Sequence, residues 1–373
     1  MRDLCEKREL LNKPPDRGAI RRDGSAWCKA RLVQGLTEKE LTIGWWGSSI
    51  GGCPACRART WGRRVRRASV LSAAVFSLIL VVGCGSSGNE ALGSGEKVRV
   101  SATTSVIQDL VRHVGGDRVE VTSIVPVGGS PETFQPSPRD AARISESWVV
   151  FENGLGLDAW IEDLVESAGN EEQTVVELSQ GLEPLEGEEH EEEQGEGHEH
   201  AEGNPHFWLD VANARYYVER IRDTLVEVDP EGAEEYEANA EEYLAELEEL
   251  DNYVRERAQS IPEERRKLVT FHDAFPYFAE AYGFELVDVI LQNPGAEPSS
   301  REVAEVVRRI EEEDVPAVFT ESQFNIRLAE TIAEEADVEV YELYTDTLVD
   351  EDAGDTYEDM MRTNIDRITE ALS

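Results

Sequence analysis

The sequence predicts an α/β protein of two lobes, each a four-stranded, mostly parallel sheet with flanking helices, joined by one long rigid helix. Three observations carry this. From Lys97 onward short β-rich runs alternate with helical stretches, the alternation restarts at Lys267, and one amphipathic stripe fills the stretch between the two sets. Strands that alternate with helices lie parallel, because each crossover helix returns the chain to the same end of the sheet.

In the first lobe, residues 97–229, strands are expected at 98–102, 119–125, 148–151 and 174–178. Thr103-Thr104-Ser105 can cap a helix running through Leu110 to Val114, since a hydroxyl there accepts a bond from a free N–H of the first turn. Further helices fit 138–145 and 157–168. The second lobe, residues 262–373, repeats the pattern with strands at 268–271, 285–290, 317–320 and 339–342. Helices near 274–282, 300–313, 326–336 and 356–372 separate or follow them.

Between the lobes, residues 230–261 carry Tyr236, Ala240, Tyr243, Leu247, Leu250 and Val254 at steps of four and three, one face of a single helix. Asp229-Pro230 starts it and Ile261-Pro262 stops it. About 30 residues at 1.5 Å rise span roughly 45 Å, so this helix acts as a stiff spine for both lobes.

Charge is placed unevenly. Of 36 basic and 78 acidic residues, 16 and 7 lie before Cys84, leaving 20 and 71 after it. Such an acidic surface repels nucleic acid and anionic lipid, which argues against both as partners of the folded body. Most of these carboxylates read as a solvated coat, because charge alone builds no specific site.

Residues 63–84 have the layout of a secretory signal. Arg63-Arg64-Val65-Arg66-Arg67 is followed by an apolar run from Ala68 to Val82, about 15 residues and short of the roughly 20 a spanning helix needs. The run ends in Leu80-Val81-Val82-Gly83-Cys84, which resembles a bacterial lipobox with Cys84 as the lipidated first residue. Residues 85–96, rich in Gly and Ser, read as a flexible tether. Residues 1–62 lie upstream of this signal and lack periodicity, so the start codon is expected near Val65 or somewhat before it. A lone Cys53-Pro54-Ala55-Cys56 is a weak metal or redox signal. No cysteine follows Cys84, so any metal bound there must use nitrogen and oxygen donors.

The stretch from Glu183 to Asp210 points to metal capture. A Glu-rich loop, residues 183–203, carries His190, His198 and His200 as candidate low-affinity collectors and leads into Asn204-Pro205-His206-Phe207-Trp208-Leu209-Asp210. Imidazoles and carboxylates are the usual protein donors to borderline divalent ions. In α/β sheets ligands bind beyond the carboxyl ends of strands. Four residues sit in loops after strands or after the acidic loop, two per lobe: Glu132, His206, His272 and Asp346. A cleft between the lobes could gather all four. Asp350, Asp352 and Asp355 are rivals for the last position, and Glu132 could instead cap the helix after Pro138. His113 reads as a partly exposed helix residue, and Trp148, Trp160 and Trp208 as core.

The motifs also carry a resemblance. Val125-Pro126-Val127-Gly128-Gly129-Ser130-Pro131-Glu132-Thr133-Phe134, Asn153-Gly154-Leu155-Gly156-Leu157, Asn204-Pro205-His206-Phe207-Trp208, Phe271-His272-Asp273-Ala274-Phe275, Pro294-Gly295-Ala296-Glu297 and Phe319-Thr320-Glu321-Ser322-Gln323-Phe324 occur in order. This string resembles the solute-binding lipoproteins of zinc and manganese ABC transporters, the cluster A-I family. The resemblance covers about residues 97–373 and implies one transition-metal ion at the lobe interface. It also implies a membrane permease as partner and no bond chemistry. Carried across, the ligand set is Glu132, His206, His272 and Asp346, with one departure: the family's first ligand is normally a histidine. Glu132 leans the site toward manganese or iron, whereas His272 and the His-rich loop lean it toward zinc, the expected cargo. The expected protein is a monomer held at the outer face of the cytoplasmic membrane by a lipid on Cys84. A zinc hydrolase, with Glu321 as its spare carboxylate, and a surface adhesin are the rival readings. With two histidine ligands, affinity is expected to fall below about pH 6.5.

Overall fold

The computed structural model describes residues 97–170, 172–185, 203–291, 295, 298–349 and 355–373. Cys84, His190, His198 and His200, the signal and the tether lie outside these, as do Asp350 and Asp352.

The first lobe threads β1 (Val98–Ala102), α1 (Ser105–Gly115), β2 (Val119–Ser123), α2 (Pro138–Glu146), β3 (Val149–Glu152), α3 (Trp160–Ala168) and β4 (Thr174–Glu177). The sheet order is β2-β1-β3-β4 and every pairing is parallel, with Val98 opposite Val119 and Val149 opposite Thr174. Val98, Val100, Ala102, Val149 and Phe151 are buried, as expected of parallel strands covered on both faces. Thr104 accepts the Ile107 N–H at 3.2 Å, the cap the sequence calls for. At α2 the cap is made by Ser137, whose N–H and hydroxyl donate to Asp140, so Glu132 is not needed there. Strand order reverses between β1 and β3, so the crevice lies beyond the carboxyl ends of those strands.

The second lobe runs through β5 (Lys267–Thr270), α6 (Pro276–Tyr282), β6 (Glu285–Val289), α7 (Ser300–Glu313), β7 (Ala317–Glu321), α8 (Arg327–Ala336), β8 (Glu339–Leu343) and α9 (Tyr357–Leu372). The four expected strands are all present. They are hydrogen-bonded as two parallel pairs, β5 with β6 and β7 with β8, and β5 lies beside β7. The β5–β6 register shifts between Leu268 and Val269, an irregularity of the kind that disrupts a ladder locally.

Two long helices hold the lobes together, α4 (Val211–Val228) and α5 (Ala233–Gln259). Helix α5 is the expected spine, whereas α4 is an additional helix whose buried face is formed by Val211, Ala214, Tyr217, Val218, Ile221 and Leu225. On α5 the predicted stripe is buried in full and extends to Ala258. It packs against α1, α4, α6 and α9, elements of both lobes. Its first turn is pinned where Arg118 and Tyr236 donate to Asp229 at 2.7 and 2.8 Å. Farther along, Arg255 donates to the Ala281 carbonyl at 2.6 Å and Arg257 to Asp366 at 2.7 Å. A helix fixed along its length to both halves resists large hinge motion. No described helix is long and apolar enough to cross a membrane.

Candidate metal centre

Each lobe sends two side chains into the crevice. Glu132 sits on the loop between β2 and α2. Trp160 Nε1 donates to the Pro131 carbonyl at 2.9 Å, and Phe134 packs on the Trp160 ring at 4.9 Å. Gly128, at φ 78, turns this loop so that its N–H reaches Thr347 Oγ1 of the other lobe at 2.9 Å. His206 follows Pro205, whose carbonyl accepts from Asn153 Nδ2 at 2.9 Å, and its ring lies against Trp208. Asn153 is itself fixed by the Tyr217 hydroxyl at 2.6 Å and by Asp158, which accepts its N–H at 2.7 Å. His272 follows β5, and Asp346 lies just beyond β8. His206, His272 and Asp346 are at most 1 % exposed. Glu132 is exposed as a residue, yet its carboxylate joins theirs.

One ligand atom from each of Glu132, His206, His272 and Asp346 lies within 4.8 Å of the others. His206 Nε2 is 3.3 Å from His272 Nε2 and 3.4 Å from Asp346 Oδ1, and His272 Nε2 is 3.8 Å from Asp346 Oδ2. A tetrahedral ion with bonds near 2.1 Å holds its donors about 3.4 Å apart. His206 Nε2 therefore already stands at about that spacing from both His272 Nε2 and Asp346 Oδ1. Asp355 is exposed and not part of this group.

The far side of each imidazole is held. His206 Nδ1 lies 3.0 Å from Asn204 Oδ1, which also accepts the His206 backbone N–H at 3.0 Å. An amide oxygen can only accept, so His206 carries its proton on Nδ1 and presents Nε2 to the crevice. Asn204 is oriented in turn by its Nδ2, which donates to the Asp273 carbonyl at 2.6 Å, and by Tyr277, whose hydroxyl donates to the Asn204 carbonyl at 2.7 Å. His272 Nδ1 is 2.6 Å from Glu321 Oε2, and Glu321 Oε1 accepts the His272 backbone N–H at 3.2 Å. Carboxylate or amide support behind a ligating histidine fixes its tautomer and orientation.

Burial alone would depress His272. The carboxylates of Glu321, Asp346 and Glu132 outweigh it and push the group up to about 10. Burial works to raise Asp346, but His272 and His206 hold it below its usual value. The carboxylate of Glu132 is raised by its desolvated setting, against the pull of His272 and His206. Three buried side chains and the carboxylate of Glu132 thus form a charge cluster in which the proton on His272 occupies the place a cation would take.

Glu321 accepts from Thr345 Oγ1 at 2.6 Å, has Gln323 Nε2 beside it at 3.1 Å and is 1 % exposed. A carboxylate so engaged supports His272 and is not a poised base. Asn204, Gln323 and Thr345 were not singled out by the sequence, although Asn204 and Gln323 lie inside the quoted motifs. His113 is far from this group in role: it stacks on Tyr243 at 4.0 Å and is partly exposed. Trp208 is buried, and Trp148 and Trp160 pack on the core from its edge.

Comparison with known proteins shows the family. The family described as zinc-uptake complex component A, periplasmic, matches residues 100–371. The manganese-binding lipoprotein MntA of Halalkalibacterium halodurans is 38% identical over 306 residues, covering 80% of this chain and 98% of its own. Among solved structures, the periplasmic zinc-binding protein TroA of Treponema pallidum is 29% identical with a TM-score of 0.65, covering 74% of this chain and 99% of its own. The manganese-bound periplasmic metal-binding protein of Candidatus Liberibacter asiaticus is 26% identical with a TM-score of 0.63, covering 74% of this chain and 100% of its own. The manganese ABC transporter substrate-binding lipoprotein PsaA of Streptococcus anginosus is 32% identical over 318 residues, covering 83% of this chain and 100% of its own. The chain belongs to the zinc-uptake complex component A family, the metal-binding substrate-binding proteins of ABC transporters.

Proposed function

We propose that this protein captures one divalent transition-metal ion with Glu132, His206, His272 and Asp346 and hands it to an ABC permease for import. The observation that carries the reading is the convergence of these four side chains, two from each lobe, with ligand atoms within 4.8 Å of one another. Binding replaces the ion's water by two imidazole nitrogens and two carboxylate oxygens. The pinned spine helix keeps the lobes near one arrangement, so release requires the permease to draw the loops of one lobe from the other. The MntA relative is named a lipoprotein, which supports anchoring of this chain through Cys84 at the outer face of the membrane. In this organisation residues 97–229 and 262–373 are the lobes, 230–261 the spine, and 85–96 the tether.

Four protein donors, two of them neutral imidazoles once deprotonated, make a closed shell of the kind zinc favours. Zinc is therefore the cargo the geometry supports best. A second reading, manganese, is favoured by the paired carboxylates and by relatives named for manganese. Elemental analysis of protein purified without added metal, followed by competition between zinc and manganese, decides between them. Protein that binds neither ion with one-to-one stoichiometry would end the proposal.

A further inference from the structure

Gln323 occupies a position the ligand set does not explain. Its Nε2 lies 2.7 Å from Thr345 Oγ1, 3.1 Å from Glu321 Oε2 and 3.2 Å from Asp346 Oδ2. An amide nitrogen has two protons for these three acceptors. Thr345 Oγ1 gives its own proton to Glu321 Oε2 at 2.6 Å, so it receives one from Gln323 and already serves Glu321. The second Gln323 proton is left for Asp346 Oδ2. The other oxygen, Asp346 Oδ1, is buried without a hydrogen bond and lies 3.4 Å from His206 Nε2. Gln323 Oε1 is likewise buried and unpaired. Turning the amide over would bring that oxygen against the oxygens of Glu321 and Asp346, so the observed orientation is enforced.

We infer that Gln323 determines metal selectivity by tying back one oxygen of Asp346, which leaves Oδ1 alone to meet the ion. The inference rests on the proposed metal-capture role. A carboxylate restricted to one oxygen keeps the shell at four donors, which suits zinc. Manganese accepts more oxygen donors, and a carboxylate free to bind through both oxygens would serve it better. Gln323 touches the ligand and not the ion, so it is a positioning residue.

The test is Gln323→Met, which keeps length and removes both N–H donors, read by zinc and manganese affinities and by the visible spectrum of the cobalt(II)-loaded protein. Wild type should give the intense bands of four-coordinate cobalt. The variant should give weaker bands of higher coordination, with the zinc-to-manganese affinity ratio reduced about tenfold, within the range seen when an outer partner of a ligand is lost. If Gln323→Met fails to fold, Gln323→Leu, which also lacks both N–H donors, decides. It frees Asp346 Oδ2 in the same way and should move spectrum and ratio in the same direction. A folded variant with unchanged ratio and spectrum overturns the role of Gln323. A wild type that binds neither ion overturns the capture reading instead.

Discussion

A metal ion can bind His272 only after its imidazole gives up a proton, and the surrounding carboxylates hold that proton until about pH 10. The structure thereby changes the expectation from unperturbed histidines, which places the loss of affinity below about pH 6.5. For one proton displaced per ion, affinity should rise close to tenfold for each pH unit well below pH 10, about a hundredfold between pH 7 and 9. The apo protein should respond with the opposite sign. A histidine whose folded value is raised contributes stability that is present in full below about pH 6.5 and is lost as pH climbs toward 10. Chelator competition from pH 7 to 9, with isothermal titration in buffers of different ionisation heat, measures both affinity and protons released. Glu321→Gln removes the nearest charge that holds the proton. It should flatten the pH dependence and weaken binding ten- to hundredfold through loss of support behind His272. A change of less than about threefold across the range, with no proton released, would refute the reasoning.

Other outcomes follow from the same geometry. His206→Ala and His272→Ala should each weaken binding by more than the ten- to hundredfold that loss of an outer partner costs, measured by the same competition. Deleting residues 186–202 should leave the equilibrium affinity unchanged and slow capture at low salt in stopped-flow mixing. The ends to be rejoined already meet, since the Asn204 N–H donates to the Leu185 carbonyl at 3.0 Å. Leu250→Ala, at a fully buried position on α5, should cost about 2–5 kcal/mol in urea unfolding while the folded protein keeps its metal affinity.

Much of the fold was legible because it is written in short-range pattern. The stripe from Tyr236 to Val254 gave α5, and the eight β-rich runs gave the eight strands within a few residues. Helix α4 escaped because it directly follows the motif around His206, where attention rests on donors, though its apolar spacing and the Asp210 cap were readable. The break of the second sheet into two pairs was not readable, since register depends on how neighbouring strands meet. Glu132, His206, His272 and Asp346 were nameable because metal donors belong to few residue types and each sits in a loop beyond a strand. Asn204, Gln323 and Thr345 were not, because an amide or hydroxyl gains its role only from what it touches across 69 residues of chain, in the case of Asn204 and Asp273, or 22, for Gln323 and Thr345.

Crystals of the zinc-loaded protein, with anomalous diffraction recorded on both sides of the zinc edge, would locate the ion itself. One peak about 2.0–2.2 Å from donors of Glu132, His206, His272 and Asp346 is the expected result. A zinc peak elsewhere, or one that leaves either histidine beyond bonding distance, would contradict the proposed capture of a single ion between the lobes.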